Sequence, residues 1–140
     1  MTTKQLTVLT GNSALHLSNV IALLSDKGVD IRAHCLVDNG DGNCKLRMIV
    51  SEPEKAVDIL QTRNFGVVVN DVLIIKTDDK PGGLSRMLKL LERDDIRIEY
   101  SYTAASDSPA TALMVFRFAN NLAAASVLEK NGLHPLKTEA

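Results

Sequence analysis

Apolar and polar positions along the chain recur with two different periods, and the places where the period changes mark the predicted elements. Residues 6–9 are a short apolar run that predicts a strand, and a polar turn at residues 11–13 follows it. Apolar residues then recur at helical spacing, which predicts an amphipathic helix packed on a sheet: Leu17, Val20, Ile21 and Leu24. Residues 29–37 alternate between apolar and polar, as a half-buried strand does.

Strand and helix patterns continue to alternate to the end of the chain. A glycine-containing turn and residues 45–50 predict a hairpin, Ser51-Glu52-Pro53 predicts a helix start, and residues 65–69 predict a closing strand. The second half gives the same order, with strands at 72–76, 96–104, 111–118 and 133–137 and helices at 84–93 and 122–130. Each half therefore reads as strand, helix, strand, strand, helix, strand.

An internal repeat relates the two halves. Residues 10–31 align with residues 77–98 without a gap, so each position has a counterpart 67 residues later, and six apolar or small pairs coincide in register. A βαββαβ unit is the ferredoxin-like arrangement, an antiparallel sheet with both helices on one face. The sequence thus predicts an α+β protein of two ferredoxin-like modules, at residues 1–70 and 71–140.

Composition excludes several classes of function. The 16 basic side chains nearly balance the 17 acidic ones and form no basic run, so we expect no nucleic-acid partner. Residues 1–10 lack the pattern of a secretion signal, and no stretch approaches the roughly 20 apolar residues of a membrane span. We therefore expect a cytoplasmic protein without a membrane partner. No pattern for a nucleophile and base, a metal cluster or a phosphate loop occurs, so no catalytic residues, metal ligands or cofactors are predicted.

One segment resembles a known family. The stretch Asp79-Lys80-Pro81-Gly82-Gly83-Leu84 lies between a predicted strand and a predicted helix, and it resembles the D-x-P-G-x-L signature of ACT domains. The repeat covers nearly the whole chain, so the chain is similar to free-standing tandem ACT proteins. That resemblance implies a regulatory protein that binds a small-molecule ligand, usually an amino acid, at the turns that join the first strand to the first helix, near an interface between modules.

The implied site agrees with the physical chemistry of a helix start. Unpaired backbone N–H groups and a partial positive charge of about half a unit suit a ligand carboxylate. Glycine lets a ligand approach the backbone closely. Carried over residue by residue, the resemblance implies these second-copy ligand-binding candidates: Asp79, Lys80, Pro81, Gly82, Gly83 and Leu84.

The first copy departs from the pattern. Leu15 and His16 stand where the second copy has Gly82 and Gly83, so either a site built from side chains remains or the turn is structural. The candidates in this copy are Asn12, Ser13, Ala14, Leu15 and Leu17. Arg47, which interrupts an apolar strand, is a further candidate as a cation for a ligand carboxylate or for another chain.

Several of these candidate residues could also have a purely structural role. Asn12 and Asp79 are also good N-cap residues, and the glycines of the second copy also suit an ordinary turn. Cys35 falls in the apolar register and predicts a buried thiol, whereas Cys44 lies beside the hairpin turn and predicts a more exposed one.

The sequence thus leads to two functional hypotheses. The first is an amino-acid sensor, expected as a homodimer, that acts on a regulated metabolic enzyme. The second is a regulatory subunit or assembly module that works through protein contact without a ligand of its own.

Overall fold

The computed structural model describes residues 2–11 and 14–136, and these form two compact units. The first unit comprises residues 4–70, and the second comprises residues 71–136 with residues 2–3. The predicted α+β class and the ferredoxin-like repeats are confirmed. That residues 1–70 and 71–140 act as separate modules stays a prediction.

The first unit contains two helices and a sheet of antiparallel strands in the order β2-β3-β1-β4. Its elements are β1 (Thr3–Gly11), α1 (Ala14–Asp26), β2 (Ile31–Asp38), β3 (Asn43–Val50), α2 (Pro53–Thr62) and the start of β4 (Gly66–Asp78). The core lies between the helices and one face of the sheet: Leu6, Val8, Val20, Leu24, Val29, Leu46, Met48, Val50, Ala56 and Leu60. Both helices therefore cover the same face, as the pattern predicts.

The second unit repeats this plan with the end of β4. Its strand order is β4-β6-β5, and its further elements are α3 (Gly83–Arg93), β5 (Ile98–Ala104), β6 (Thr111–Phe118) and α4 (Asn121–Lys130). The core again joins both helices to one sheet face: Leu73, Ile75, Met87, Leu91, Met114, Phe116, Phe118, Ala124, Ala125 and Leu128.

Two predicted boundaries are wrong. The expected strands at residues 65–69 and 72–76 are one continuous strand, β4, because neither Asn70 nor Asp71 breaks the extended backbone. The expected last strand at 133–137 is reduced, within the described residues, to a single bridge between Ile75 and Pro135 and one hydrogen bond from Leu136 N to Ile74 O. Proline has no N–H to extend such a ladder, and Lys137 lies outside the described residues.

A β-bulge at the start of β2 recurs at the start of β5. The register shifts between Ile31 and Ala33 in the first unit and between Ile98 and Tyr100 in the second, and these positions are 67 residues apart. A bulge inserts one residue into a strand and turns the following side chains to the opposite face. The apolar alternation in these two strands therefore does not continue on one face.

Candidate ligand-binding site

The turn between β4 and α3 is the place where the sequence predicts a ligand. Asp78 ends β4 opposite Thr111, the first residue of β6. The next backbone amide, Asp79 N, donates to Ala110 O at 2.9 Å. Gly82 is the N-cap residue of α3, with a φ of 92° that favours glycine, and Gly83 begins the helix. Asp79 is therefore not the N-cap, because the chain takes three more residues to enter the helix.

Gly83 has no room for a side chain. A Cβ atom built on it would overlap the carbonyl oxygen of Asp78 and would lie 3.1 Å from Thr77 Oγ1. Nothing lies within 4 Å of a Cβ built on Gly82. The two glycines thus have different structural roles. Gly82 allows the left-handed turn, and Gly83 lets the first turn of α3 pack against the end of β4.

A pocket of about 250 Å³ opens beside this turn, within the second unit. It is lined by residues of β4, α3, β6 and the segment after α4: Lys76, Thr77, Asp78, Gly83, Arg86, Met87, Thr111 and Leu133. This volume lies just below the range of about 300–1,000 Å³ typical of small-molecule pockets, which suits a small metabolite.

Opposite charges meet at this pocket. The Asp78 carboxylate lies 4.0 Å from Arg86 Nη2 and 3.8 Å from Lys80 Nζ, and more than half of each of the three side chains is exposed. Exposed ion pairs of this kind contribute only about 0–1 kcal/mol, so a ligand can replace them at small cost. The arrangement can hold a carboxylate at the cations and an ammonium group at Asp78.

The pocket also has apolar and hydroxyl walls. Met87 is a buried core residue, and Leu133 packs at the edge of the same core. Thr77 Oγ1 donates to Asp78 O at 3.2 Å, and Thr111 Oγ1 lies 2.8 Å from Ser106 Oγ. The apolar pair offers a surface for a ligand side chain.

Only one of the second-copy candidates lines the pocket. Gly83 does so, whereas Asp79, Lys80, Pro81, Gly82 and Leu84 lie at the same turn and are exposed. The sequence reading missed Asp78 and Arg86. Both carried a signal, since Asp78 is the first of two acidic residues at the strand end and Arg86 follows Gly83 by three residues, on the same face of the first helical turn.

The first-copy candidates do not assemble into a comparable described site. Asn12 and Ser13 lie outside the described residues, and Ala14 is the first residue of α1. Leu15 is 66% exposed, and Leu17 packs against the core of its unit. Arg47 lies in the middle of β3 opposite Thr7, three residues along the strand from Cys44, which faces the end of β1.

The prediction for the two cysteines is wrong in both cases. Cys44 is buried, with 3% of its surface exposed, and Cys35 is only half-buried. The bulge in β2 places Cys35 opposite Arg47, on the face of the sheet away from the helices, whereas Cys44 pairs with Thr10. Burial raises the pKa of the Cys44 thiol, and the carboxylates of Asp38 and Asp41 raise this pKa further.

Two further features bear on function. The described residues contain no group of three or more His, Cys, Asp or Glu side chains that could hold a metal ion. Within the same residues, no helix is long and apolar enough to cross a membrane.

The family of the chain follows from comparison with known proteins. A model of the ACT domain pair matches residues 1–139, so the chain belongs to the ACT domain family as a pair of such domains. Comparison with curated proteins gives no match.

Solved structures share this fold. Protein BT0572 of Bacteroides thetaiotaomicron is 31% identical, with a TM-score of 0.92 over 99% of this chain and 94% of that one. The ligand-free regulatory subunit of aspartate kinase from Thermus thermophilus is 12% identical, with a TM-score of 0.66 over 91% of this chain and 90% of that one. The corresponding Thermus flavus subunit is 13% identical, with a TM-score of 0.62 over 93% of each chain. At these last identities the likeness establishes the fold alone.

Proposed function

We propose that this chain is a regulatory protein without catalysis of its own that binds an amino acid in the pocket beside the β4–α3 turn. The observation that carries the proposal is the Asp78 carboxylate 4.0 Å from Arg86 Nη2, at the mouth of a pocket that includes the first residue of a helix. A zwitterionic amino acid has a carboxylate that can pair with Arg86 and an ammonium group that can pair with Asp78. Membership in the ACT family supports a regulatory role.

Each wall of the pocket has a role in this proposal. Arg86 and backbone N–H groups in the first turn of α3 bind the ligand carboxylate. Asp78 accepts hydrogen bonds from the ammonium group. Met87 and Leu133 contact the ligand side chain, so the space between them selects its size. Gly83 keeps the helix start close to the strand, and the candidates from Asp79 to Leu84 shape the turn.

In this proposal, ligand binding changes how the chain acts on a second protein. We infer a cytoplasmic homodimer whose ligand state is read by a metabolic enzyme. The response is bounded by the difference in ligand affinity between two states of the assembly, typically about 1–3 kcal/mol. The apolar residues exposed on the edge strand β2, Leu36 and Val37, support a protein partner.

A thermal-shift screen of the twenty amino acids, each followed by titration, tests the binding. An amino acid present at 100 times its dissociation constant stabilises the protein by about 2.7 kcal/mol, a shift that is readily measured. Failure of all twenty to raise the melting temperature would refute the proposal. It would favour the second function, a contact module without a ligand, to which the exposed Leu36 and Val37 also point.

Two variants locate the site. Arg86→Gln removes a charged hydrogen-bond donor and should weaken binding of any hit by about tenfold or more. Lys89→Gln is the matched control, because it removes the same charge from the same helix at a residue that does not line the pocket. Equal weakening by both variants would indicate a general effect of charge and would count against this site.

A further inference from the structure

The charged residues at the pocket of the second unit do not balance. Two of the residues that line it, Lys76 and Arg86, are cationic, and a single one, Asp78, is anionic. Asp79 and Lys80 lie at the same turn without lining the pocket, and their charges cancel. A ligand with no net charge would therefore leave one positive charge at this site without a counterpart.

Two cations converge on one oxygen atom at the mouth of the pocket. Lys80 Nζ lies 3.8 Å and Arg86 Nη2 lies 4.0 Å from Asp78 Oδ2. The two nitrogen atoms are thus no further apart than these two distances together, a span that the two carboxylates of one small amino acid can bridge. Exposed ion pairs contribute little to stability, so such a ligand can draw both cations away from Asp78.

The fold does not require these charges, because the first unit forms the corresponding strand and helix without them. The residues 67 positions before Lys76, Asp78, Lys80 and Arg86 are all uncharged: Leu9, Gly11, Ser13 and Asn19. Strand pairing supports this correspondence, since Gly11 pairs with Asn43 at the start of β3 as Asp78 pairs with Thr111 at the start of β6. The charges are therefore particular to the turn that has the pocket.

We propose that this pocket selects an amino acid with a second carboxylate, the class of aspartate and glutamate. Such a ligand carries one net negative charge and so complements the excess positive charge of the site. Arg86 binds its α-carboxylate and Asp78 its ammonium group, as in the proposed function on which this inference rests. Lys80 pairs with the side-chain carboxylate and is the specificity-determining residue.

The rest of the pocket suits a ligand of this class. Met87 and Leu133 contact the methylene groups between the two carboxylates. Lys76 adds to the positive potential, because its charge acts on the ligand within the screening length of about 8–10 Å. The pocket volume of about 250 Å³ favours a small ligand.

Isothermal titration calorimetry of the full chain tests the selection with two matched pairs of ligands. Aspartate and asparagine share a shape and differ in charge, as do glutamate and glutamine. In at least one pair we expect the acid to bind at least about fivefold more tightly than its amide, and this preference should shrink in concentrated salt. Binding of both amides as tightly as their acids would overturn the inference and leave the proposed function standing. Binding of none of the twenty amino acids would refute both, so the two failures are distinct.

A pair of variants tests the role of Lys80. Lys80→Gln should reduce the preference for the acid over its amide to less than about twofold, because it removes the charge that pairs with the second carboxylate. Lys89→Gln is the control, since it removes the same charge from an exposed residue of α3 that does not line the pocket, and it should retain the preference. An equal loss in both variants would show a general effect of charge and would overturn the assignment to Lys80.

Discussion

Gly83 lies so close to Asp78 that a Cβ atom on the glycine would overlap the carbonyl oxygen of the aspartate. The Asp78 oxygen belongs to the backbone, and the backbone of residue 83 fixes where a Cβ atom would stand, so no side-chain rotation can relieve the overlap. This contact holds the start of α3 against the end of β4 and thereby forms one edge of the pocket.

Replacing Gly83 should therefore cost stability. Gly83→Ala forces the helix start away from the strand, and we expect a loss of about 1–3 kcal/mol in the free energy of unfolding, the usual range for overpacking. Urea unfolding followed by circular dichroism measures the change. Ser85→Ala, an exposed change in the same helical turn, should stay within about 0.5 kcal/mol. An unchanged midpoint for Gly83→Ala would contradict the close approach.

The four helices in the described part of the chain end in the same way, and this gives a second prediction. Each is followed by one residue at positive φ: Gly28, Asn64, Asp95 and Gly132. The next residue then donates its N–H to a carbonyl in the last turn, as Ile96 N does to Leu91 O at 3.0 Å. Glycine adopts this conformation without the cost of about 1–2 kcal/mol that an L-residue incurs.

Asp95→Gly should stabilise the protein. The change relieves the left-handed backbone at a φ of 52° and removes a negative charge from a helix C-terminus, and glycine's own entropy cost offsets part of the gain. We expect a net gain of about 0.5–1 kcal/mol in urea unfolding. Asp95→Asn separates the two causes, because it removes the charge and keeps the side chain. A loss of stability in Asp95→Gly would show that the aspartate makes a contact that outweighs the strain.

The periodicity of the sequence predicted most of the elements because each strand and helix covers one apolar core. It failed where a β-bulge moves the following side chains to the other face of the sheet, because the residue types there give no sign of the bulge. Cys35 continues an apolar alternation that begins at Ile31, and the sequence has no glycine or proline to mark the bulge between Ile31 and Ala33. A one-residue slip moves every later side chain to the other face, so Cys35 could not be placed from pattern alone.

The sequence predicts the turn beside which the pocket lies, but only one of the residues that line the pocket, Gly83, is among its candidates. The turn itself follows from glycine and proline, which constrain the backbone locally. The lining depends on which side chains meet across elements: Thr111 pairs with Asp78 through β6, and Leu133 reaches the pocket from the segment after α4. Such long-range pairs leave no local signal in one sequence.

The cysteines give a third prediction, which reverses the expectation from sequence. At about pH 8, below or near the usual thiol pKa, iodoacetamide should modify Cys35 faster than Cys44. A raised pKa keeps the Cys44 thiol protonated to higher pH, so its rate should keep rising as the pH is raised further. Because burial is the larger cause and the nearby carboxylates are the smaller, Asp41→Asn should accelerate Cys44 only modestly. Faster labelling of Cys44 than of Cys35 would contradict its burial.

A buried polar chain in the first unit supports a last prediction. Gln5 Nε2 donates to Thr7 Oγ1 at 3.2 Å, and Thr7 Oγ1 donates to Asn70 Oδ1 at 3.0 Å, which links β1 to β4. Gln5 is fully buried and Thr7 nearly so. Removing one member of such a chain costs the desolvation of its former partners.

Thr7→Val keeps the shape of the side chain and removes both hydrogen bonds. We expect it to lower the free energy of unfolding by about 1–3 kcal/mol in urea titrations. Thr103→Val makes the same change at an exposed position of β5 and should shift the free energy by no more than about 0.5 kcal/mol. Adding Asn70→Leu to Thr7→Val should recover part of the loss, because it removes a polar group that the first change deprives of its donor. A double variant as unstable as the sum of the single ones would show that Thr7 and Asn70 contribute independently, which would contradict the proposed chain of bonds.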